Sequence, residues 1–226
     1  MIKEIGIKSI RKTDKKYNRY DIQVRNTNNF YTNGILVHNS NCQIYFDPRI
    51  DNDEVWDKSW VISKGLGSSG LGFKNNETNN SKNIYCRIMN SLYNKETFET
   101  LFKGKRFALF GEIIGKGIQD LDYDLKEPIF LLFDVAVDGV WQSWDVVEFV
   151  AENLQIDTVP IIYHGPFNTE CRNLKNGKST ITEKHIREGT VIKHTVPQYS
   201  NEIGRIILKD INPEYLTRKG KVTEYA

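Results

Sequence analysis

Two long apolar runs of strand type, Phe107 to Ile114 and Phe130 to Val137, constrain this chain more than any other feature. Runs of this kind need a sheet that buries at least one of their faces. Shorter strand signals stand at Ser40 to Phe46, Trp60 to Ser63, Gly189 to His194 and Gly204 to Ile211. Ile84, Ile88, Met89 and Leu92 recur at helical spacing, and Phe98, Leu101 and Phe102 continue the pattern until Gly104 stops it. A further helix is predicted over Asp145 to Leu154, with Ser143 or Asp145 at its start. Gly65 to Asn80 is rich in Gly, Ser and Asn and reads as a loop enclosing a short extended piece at Leu71 to Lys74. Strands interrupted by a few helices predict an α+β body with mainly antiparallel sheets.

Residues 1 to 39 differ from that body in charge. They hold eight Lys or Arg against three Asp or Glu, while the remainder holds 23 against 26. The body is thus slightly acidic and has no basic run to mark it as a nucleic-acid-binding module. Strand-like alternation at Tyr20-Asp21-Ile22-Gln23-Val24 argues against a purely solvated basic tail before it. No apolar stretch is long enough to span a bilayer and no signal peptide precedes the fold, so no membrane partner is expected. Cys42, Cys86 and Cys171 have no metal spacing and are odd in number, which predicts reduced thiols and a cytoplasmic location.

The segment Asn29-Phe30-Tyr31-Thr32-Asn33-Gly34-Ile35-Leu36-Val37-His38-Asn39-Ser40 carries a chemistry of its own. An Asn amide can close on its own carbonyl to a succinimide and break the following peptide bond, and proximity drives that ring closure. Asn39 is placed for it, His38 beside it can move the proton, and the Ser40 hydroxyl can first accept an acyl group from another segment. Residues 1 to 39 resemble the C-terminal fragment of a naturally split intein, a β-rich HINT-type piece. The resemblance puts Asp21 at the family's junction-proximal aspartate and implies a separate N-terminal intein polypeptide as partner. A basic fragment would meet an acidic half faster through electrostatic steering.

Beyond the junction, four stretches follow in order: Ser40-Asn41, Phe110-Gly111-Glu112, Phe133-Asp134 and Glu188-Gly189-Thr190-Val191-Ile192-Lys193, with Arg205 and Lys209 after them. Residues 40 to 226 resemble the covalent nucleotidyltransferases, an ATP-grasp-like ligase fold, and among them RNA ligases of the T4 RNA ligase 2 and Deinococcus type. The resemblance implies ATP and Mg²⁺ (or Mn²⁺) as cofactors and RNA ends as substrates, in a bacterial or phage-infected cell. Glu112 and Glu188 would then hold the metal or a ribose hydroxyl, and Phe133 would stack adenine. Lys193 and Lys209 would offset phosphate charge, Lys64 would contact phosphate or the RNA end, and Arg205 would stand in for a family lysine whose position is held by Ile207. The family's nucleophile lies in a Lys-x-x-Gly signature that runs directly into Ser-Asn. Here intein-like sequence precedes Ser40-Asn41, so the catalytic lysine is expected on the partner and restored by trans-splicing. The stretch Gly65-Leu66-Gly67-Ser68-Ser69-Gly70 fits a dinucleotide fingerprint, but Leu71 to Asn76 is poor helix material to follow it. A binding protein on a degenerate ligase fold, or a DNA-sealing or capping enzyme, are the competing readings.

Overall fold

The two long apolar runs pair with each other. In the computed structural model, which describes residues 41–48, 59–63, 71–74, 76–92, 95–118 and 122–217, they lie in one antiparallel sheet of five strands. These are β1 (Asn41–Phe46), β2 (Ser59–Ser63), β3 (Phe107–Ile114), β4 (Ile129–Val137) and β5 (Val140–Trp141), in the order β2-β1-β3-β4-β5. The intein-like segment and Lys64 lie outside the described residues, and with them Asp21, His38, Asn39 and Ser40.

One face of this sheet is the core. Ile44 of β1, Val61 of β2, Leu109 and Ile113 of β3, and Leu132 and Val135 of β4 are fully buried there. Of the helices α1 (Glu77–Lys82), α2 (Ile84–Leu92), α3 (Lys95–Phe102) and α4 (Trp144–Leu154), the last three cover it, while α1 buries no residue. Of these, α2 contributes Cys86, Ile88 and Met89, α3 contributes Phe98 and Phe102, and α4 contributes Val147, Val150 and Ala151. The continuous helix expected from Ile84 to Phe102 is two helices. At about 3.6 residues per turn, an unbroken helix would carry Phe98 to the face opposite Met89, and both are needed in one core. Positive φ at Lys103 (48°) and Gly104 (73°) ends α3 where the sequence places its stop. Part of the expected Gly65–Asn80 loop is helical, because Asn76 accepts from the Asn79 amide at 2.8 Å and so caps α1. The extended piece at Leu71 to Lys74 is not a strand, although the Phe73 amide donates to the Val61 carbonyl at 3.0 Å.

A bulge in β4 decides what its other face carries. Phe110 lies opposite Asp134 and Gly111 opposite Leu132, so Phe133 is an extra residue with no ladder partner. Phe130 and Leu132 face the core before it and Val135 after it, which turns Asp134 to the opposite face. Close approach at Gly111 is equally specific: a Cβ there would lie 2.2 Å from Phe130 Cζ and 2.6 Å from the Leu131 carbonyl oxygen. Gly111→Ala is therefore expected to cost about 1–3 kcal/mol through overpacking. Chemical denaturation checks this, and an unshifted midpoint would contradict the packing.

The remaining strands form two small antiparallel pairs. β6 (Gly189–Lys193), β7 (Tyr199–Ser200), β8 (Gly204–Arg205) and β9 (Ile207–Ile211) pair as β6 with β9 and β7 with β8. The expected strand from Gly204 to Ile211 is thus broken at Ile206, whose amide leaves the β6–β9 ladder to donate to the Gln198 carbonyl at 2.8 Å. A 3₁₀ helix at Thr169–Lys175 and α5 (Pro213–Thr217) complete the described elements. Lys175 and Arg172 of that 3₁₀ helix bind the Asp210 carboxylate of β9 at 2.8 and 3.1 Å. A second apolar cluster, of Ile114, Tyr123, Leu131 and Tyr215 of α5, sits on the face of the large sheet opposite the main core.

Candidate active site

Cross-strand register assembles the site on that second face. Trp60, Tyr45, Gln43 and Asn41 of β2 and β1 share it with Phe110 and Glu112 of β3, Asp134 of β4 and Trp141 of β5. Asn41 lies directly opposite Glu112. Along β1, Tyr45 donates to Gln43 at 2.9 Å and Gln43 donates to Asn41 at 2.9 Å, a polar relay from residues two apart on one strand face. Tyr45 also stacks on Trp60 and meets Phe110 edge-on, and Phe110 packs 4.6 Å from Trp141, centroid to centroid. A buried sheet would fill such a face with aliphatic side chains. Here it carries amides, two carboxylates and aromatic rings.

The bulge supplies the anchor for the small strands. Asp134, only 6% exposed, accepts from Lys193 Nζ at 2.8 Å and from both terminal nitrogens of Arg205 at 3.0 and 2.8 Å. Lys193 also donates to the Phe133 carbonyl, which the bulge has released from the ladder. Each cation lies over an indole: Lys193 is 4.7 Å from the Trp144 ring centroid and Arg205 is 4.5 Å from that of Trp141. Burial pulls the Lys193 pKa below the ordinary lysine value, Asp134 pushes it back up and Arg205 lowers it again. Lys193 and Arg205 are therefore brought together by Asp134, an acid to which the sequence alone assigns no role. The available signal was Asp134 as the single charged residue of β4.

Glu188 is placed by a turn that the sequence reading passed over. Its Oε1 accepts from the Tyr123 hydroxyl at 2.8 Å. Tyr123 and Asp124 are consecutive non-glycine residues with φ of 53° and 60°. Left-handed backbone at such residues costs about 1–3 kcal/mol each. Local bonds hold the turn: the Asp124 amide donates to Asp122, and Thr182 and Lys184 donate to the Asp124 carboxylate at 2.7 and 2.6 Å. The Lys184 and Thr182 bonds hold the Asp124 carboxyl below its usual pKa. Tyr123 is buried, its ring edge-on to His185, and burial followed by the charge of Glu188 pushes its hydroxyl pKa up. Glu112 acts electrostatically on the same hydroxyl.

Lys209 is exposed on β9, opposite Val191. Phe133 is half-buried and belongs to neither apolar cluster. Among the described residues no group of three or more His, Cys, Asp or Glu side chains is arranged to hold a metal ion, and no helix is long and apolar enough to cross a membrane. Cys42, Cys86 and Cys171 are buried free thiols.

Antiparallel sheets, with core helices on one face of the largest and a polar and aromatic opposite face crossed by paired cations, define an α+β body. Residues 37–211 match the RNA ligase family, and the chain belongs to it. No curated protein matches. Among solved structures, the chain is similar to Naegleria gruberi RNA ligase with PPi at 21% identity and a TM-score of 0.58, covering 80% of this chain and 49% of that one. A lysine-to-alanine variant of the same ligase with ATP and Mn gives 21% and 0.58, with 79% and 48% covered. A lysine-to-methionine variant with AMP and Mn gives 21% and 0.58, with 81% and 49% covered. At that identity the likeness concerns the fold, and the chain spans about half the length of the ligase.

Proposed function

We propose that residues 40–226 form the nucleotidyltransferase part of an ATP-dependent RNA ligase, joining 5′-phosphate and 3′-hydroxyl ends. The observation that carries the reading is that two carboxylates from separate motifs are fixed in place: Glu188 by the buried Tyr123 hydroxyl at 2.8 Å, and Glu112 on the polar face of the large sheet opposite Asn41. Two carboxylates fit a Mg²⁺ or Mn²⁺ ion that arrives on nucleotide phosphates better than an ion caged by protein alone. Such a cation would draw charge from the phosphate oxygens as the reaction proceeds. Phe133 would offer an adenine face, and Lys209, Lys64, Lys193 and Arg205 would offset phosphate charge. Three displacements at phosphorus follow. A lysine nitrogen bonds the α-phosphate of ATP and pyrophosphate leaves. An RNA 5′-phosphate oxygen then takes the AMP and releases the lysine. A 3′-hydroxyl oxygen finally bonds the 5′-phosphorus, loses its proton and expels AMP.

Residues 1–39 are, on this reading, the C-terminal half of a split intein, whose partner polypeptide brings the Lys-x-x-Gly nucleophile. An acyl group reaching the Ser40 oxygen forms a branched ester. The Asn39 side-chain nitrogen then bonds its own carbonyl carbon, with His38 moving the proton and Asp21 near the junction. The Asn39–Ser40 bond breaks, and the freed Ser40 amine takes the acyl group from oxygen to nitrogen.

The last ligase step breaks an anhydride already made and needs no lysine. Sealing of 5′-adenylylated RNA by this chain with Mn²⁺, without ATP, tests the ligase reading directly, with a nicked DNA duplex as comparator. Binding without sealing would favour a degenerate ligase fold, and preference for the duplex a DNA-sealing enzyme. For the junction, Asn39→Ala is expected to abolish release of residues 1–39 when the partner is added, as read by intact mass. Undiminished release would remove the succinimide step.

A further inference from the structure

We propose that Tyr123 is a positioning residue: its hydroxyl orients the Glu188 carboxylate toward the cation that ATP phosphates bring to the site. The proposal rests on the ligase reading for Glu188 and adds a residue outside the motifs that carry that reading. Three independent observations converge on it. The hydroxyl donates to Glu188 Oε1 at 2.8 Å from a buried ring, and one fixed donor on one oxygen leaves the other oxygen to turn toward a ligand. The backbone at Tyr123 is left-handed at a bulky aromatic residue, and an outlier of that kind persists only where its surroundings over-determine it. Those surroundings reach across the chain to the segment that leads into Glu188, through Asp124 with Thr182 and Lys184, Asp122 with His185 at 3.2 Å, and the Tyr123 ring against that of His185. A tyrosine serving only to fill the second apolar cluster would need neither the strained turn nor a carboxylate for its hydroxyl.

Groups that bond a metal-binding carboxylate from behind typically govern metal affinity by 10–100-fold. The experiment follows Mn²⁺-dependent ATP binding to the full chain by tryptophan fluorescence, since Trp141 and Trp144 lie against Arg205 and Lys193. Tyr123→Phe keeps the ring and is expected to raise the Mn²⁺ concentration for half-saturation by about tenfold. Glu188→Gln is expected to weaken Mn²⁺ dependence more, and adding Tyr123→Phe to it should change nothing further, because the tyrosine acts only through that carboxylate. A structural role for the hydroxyl would instead lower the two variants additively. Additive losses, or a Tyr123→Phe half-saturation within twofold of the parent, overturn the positioning role while Glu188 keeps its own. If Glu188→Gln binds Mn²⁺ and ATP as the parent does, the metal reading of Glu188 fails and the role of Tyr123 with it.

Discussion

Replacing Asp134 with alanine is expected to destabilise the fold by about 3–5 kcal/mol, the cost of stripping the partner from a buried ion pair. Lys193 and Arg205 are only 19% and 12% exposed at their side chains and converge on this one carboxylate. Without it, two cations face each other in a low-dielectric pocket, with the Trp144 and Trp141 rings and, for Lys193, the Phe133 carbonyl left to offset them. The same carboxylate ties β4 to the strands carrying Lys193 and Arg205, so denaturant unfolding should show a lower midpoint and early exposure of both tryptophans. Asp134→Asn tests charge against shape. It keeps an acceptor, and a smaller loss than alanine gives would assign the difference to bonding. A loss under about 1 kcal/mol for alanine would mean that the cations are well solvated and the bulge anchors nothing.

Glu112→Ala and Glu188→Ala carry the largest expected effect on activity. On the ligase reading, each should slow sealing of 5′-adenylylated RNA by at least about 100-fold, which corresponds to about 2.7 kcal/mol of transition-state stabilisation. The two should not multiply fully when combined, because carboxylates serving one cation act as a unit. Excess Mn²⁺ should recover part of the rate in Tyr123→Phe, which keeps both carboxylates, and little in either alanine variant. Full activity in Glu112→Ala would leave that residue as an acid on the polar face of β3, opposite Asn41. Full activity in both would remove the site.

Much of the frame was legible from the chain because its signals are local. The apolar runs of β3 and β4, the alternation in β1, and the periodicity of α2 and α4 each announce themselves within a few residues. What escaped depends on partners distant in sequence. Nothing local says that Phe133 is supernumerary in β4, since the register against β3 decides it. Asp134 reads as an acid in an apolar run until Lys193 and Arg205 arrive from beyond α4. Tyr123 sits among Asp and Leu residues with no periodicity, and its role depends on a carboxylate 65 residues away. α1 is hidden by poor helix-forming composition and exists through the Asn76 cap. The β8–β9 break is likewise set by the Gln198 carbonyl, not by Ile206 itself. Residues 1–40 and Lys64 lie outside the described residues, so their roles rest on sequence.

The bulge at Phe133 gives β4 an uneven tolerance to changes in length. Deleting Phe133 would leave Leu132 inward, Asp134 outward and Val135 inward, so every buried residue of the strand would stay buried. Deleting Leu132 or Val135 instead removes a core residue outright. A shortened chain could therefore lose Phe133 and keep its fold, yet the carbonyl held by Lys193 would be gone. Loss of this one residue would leave the core intact and tell instead on the chemistry that Lys193 serves.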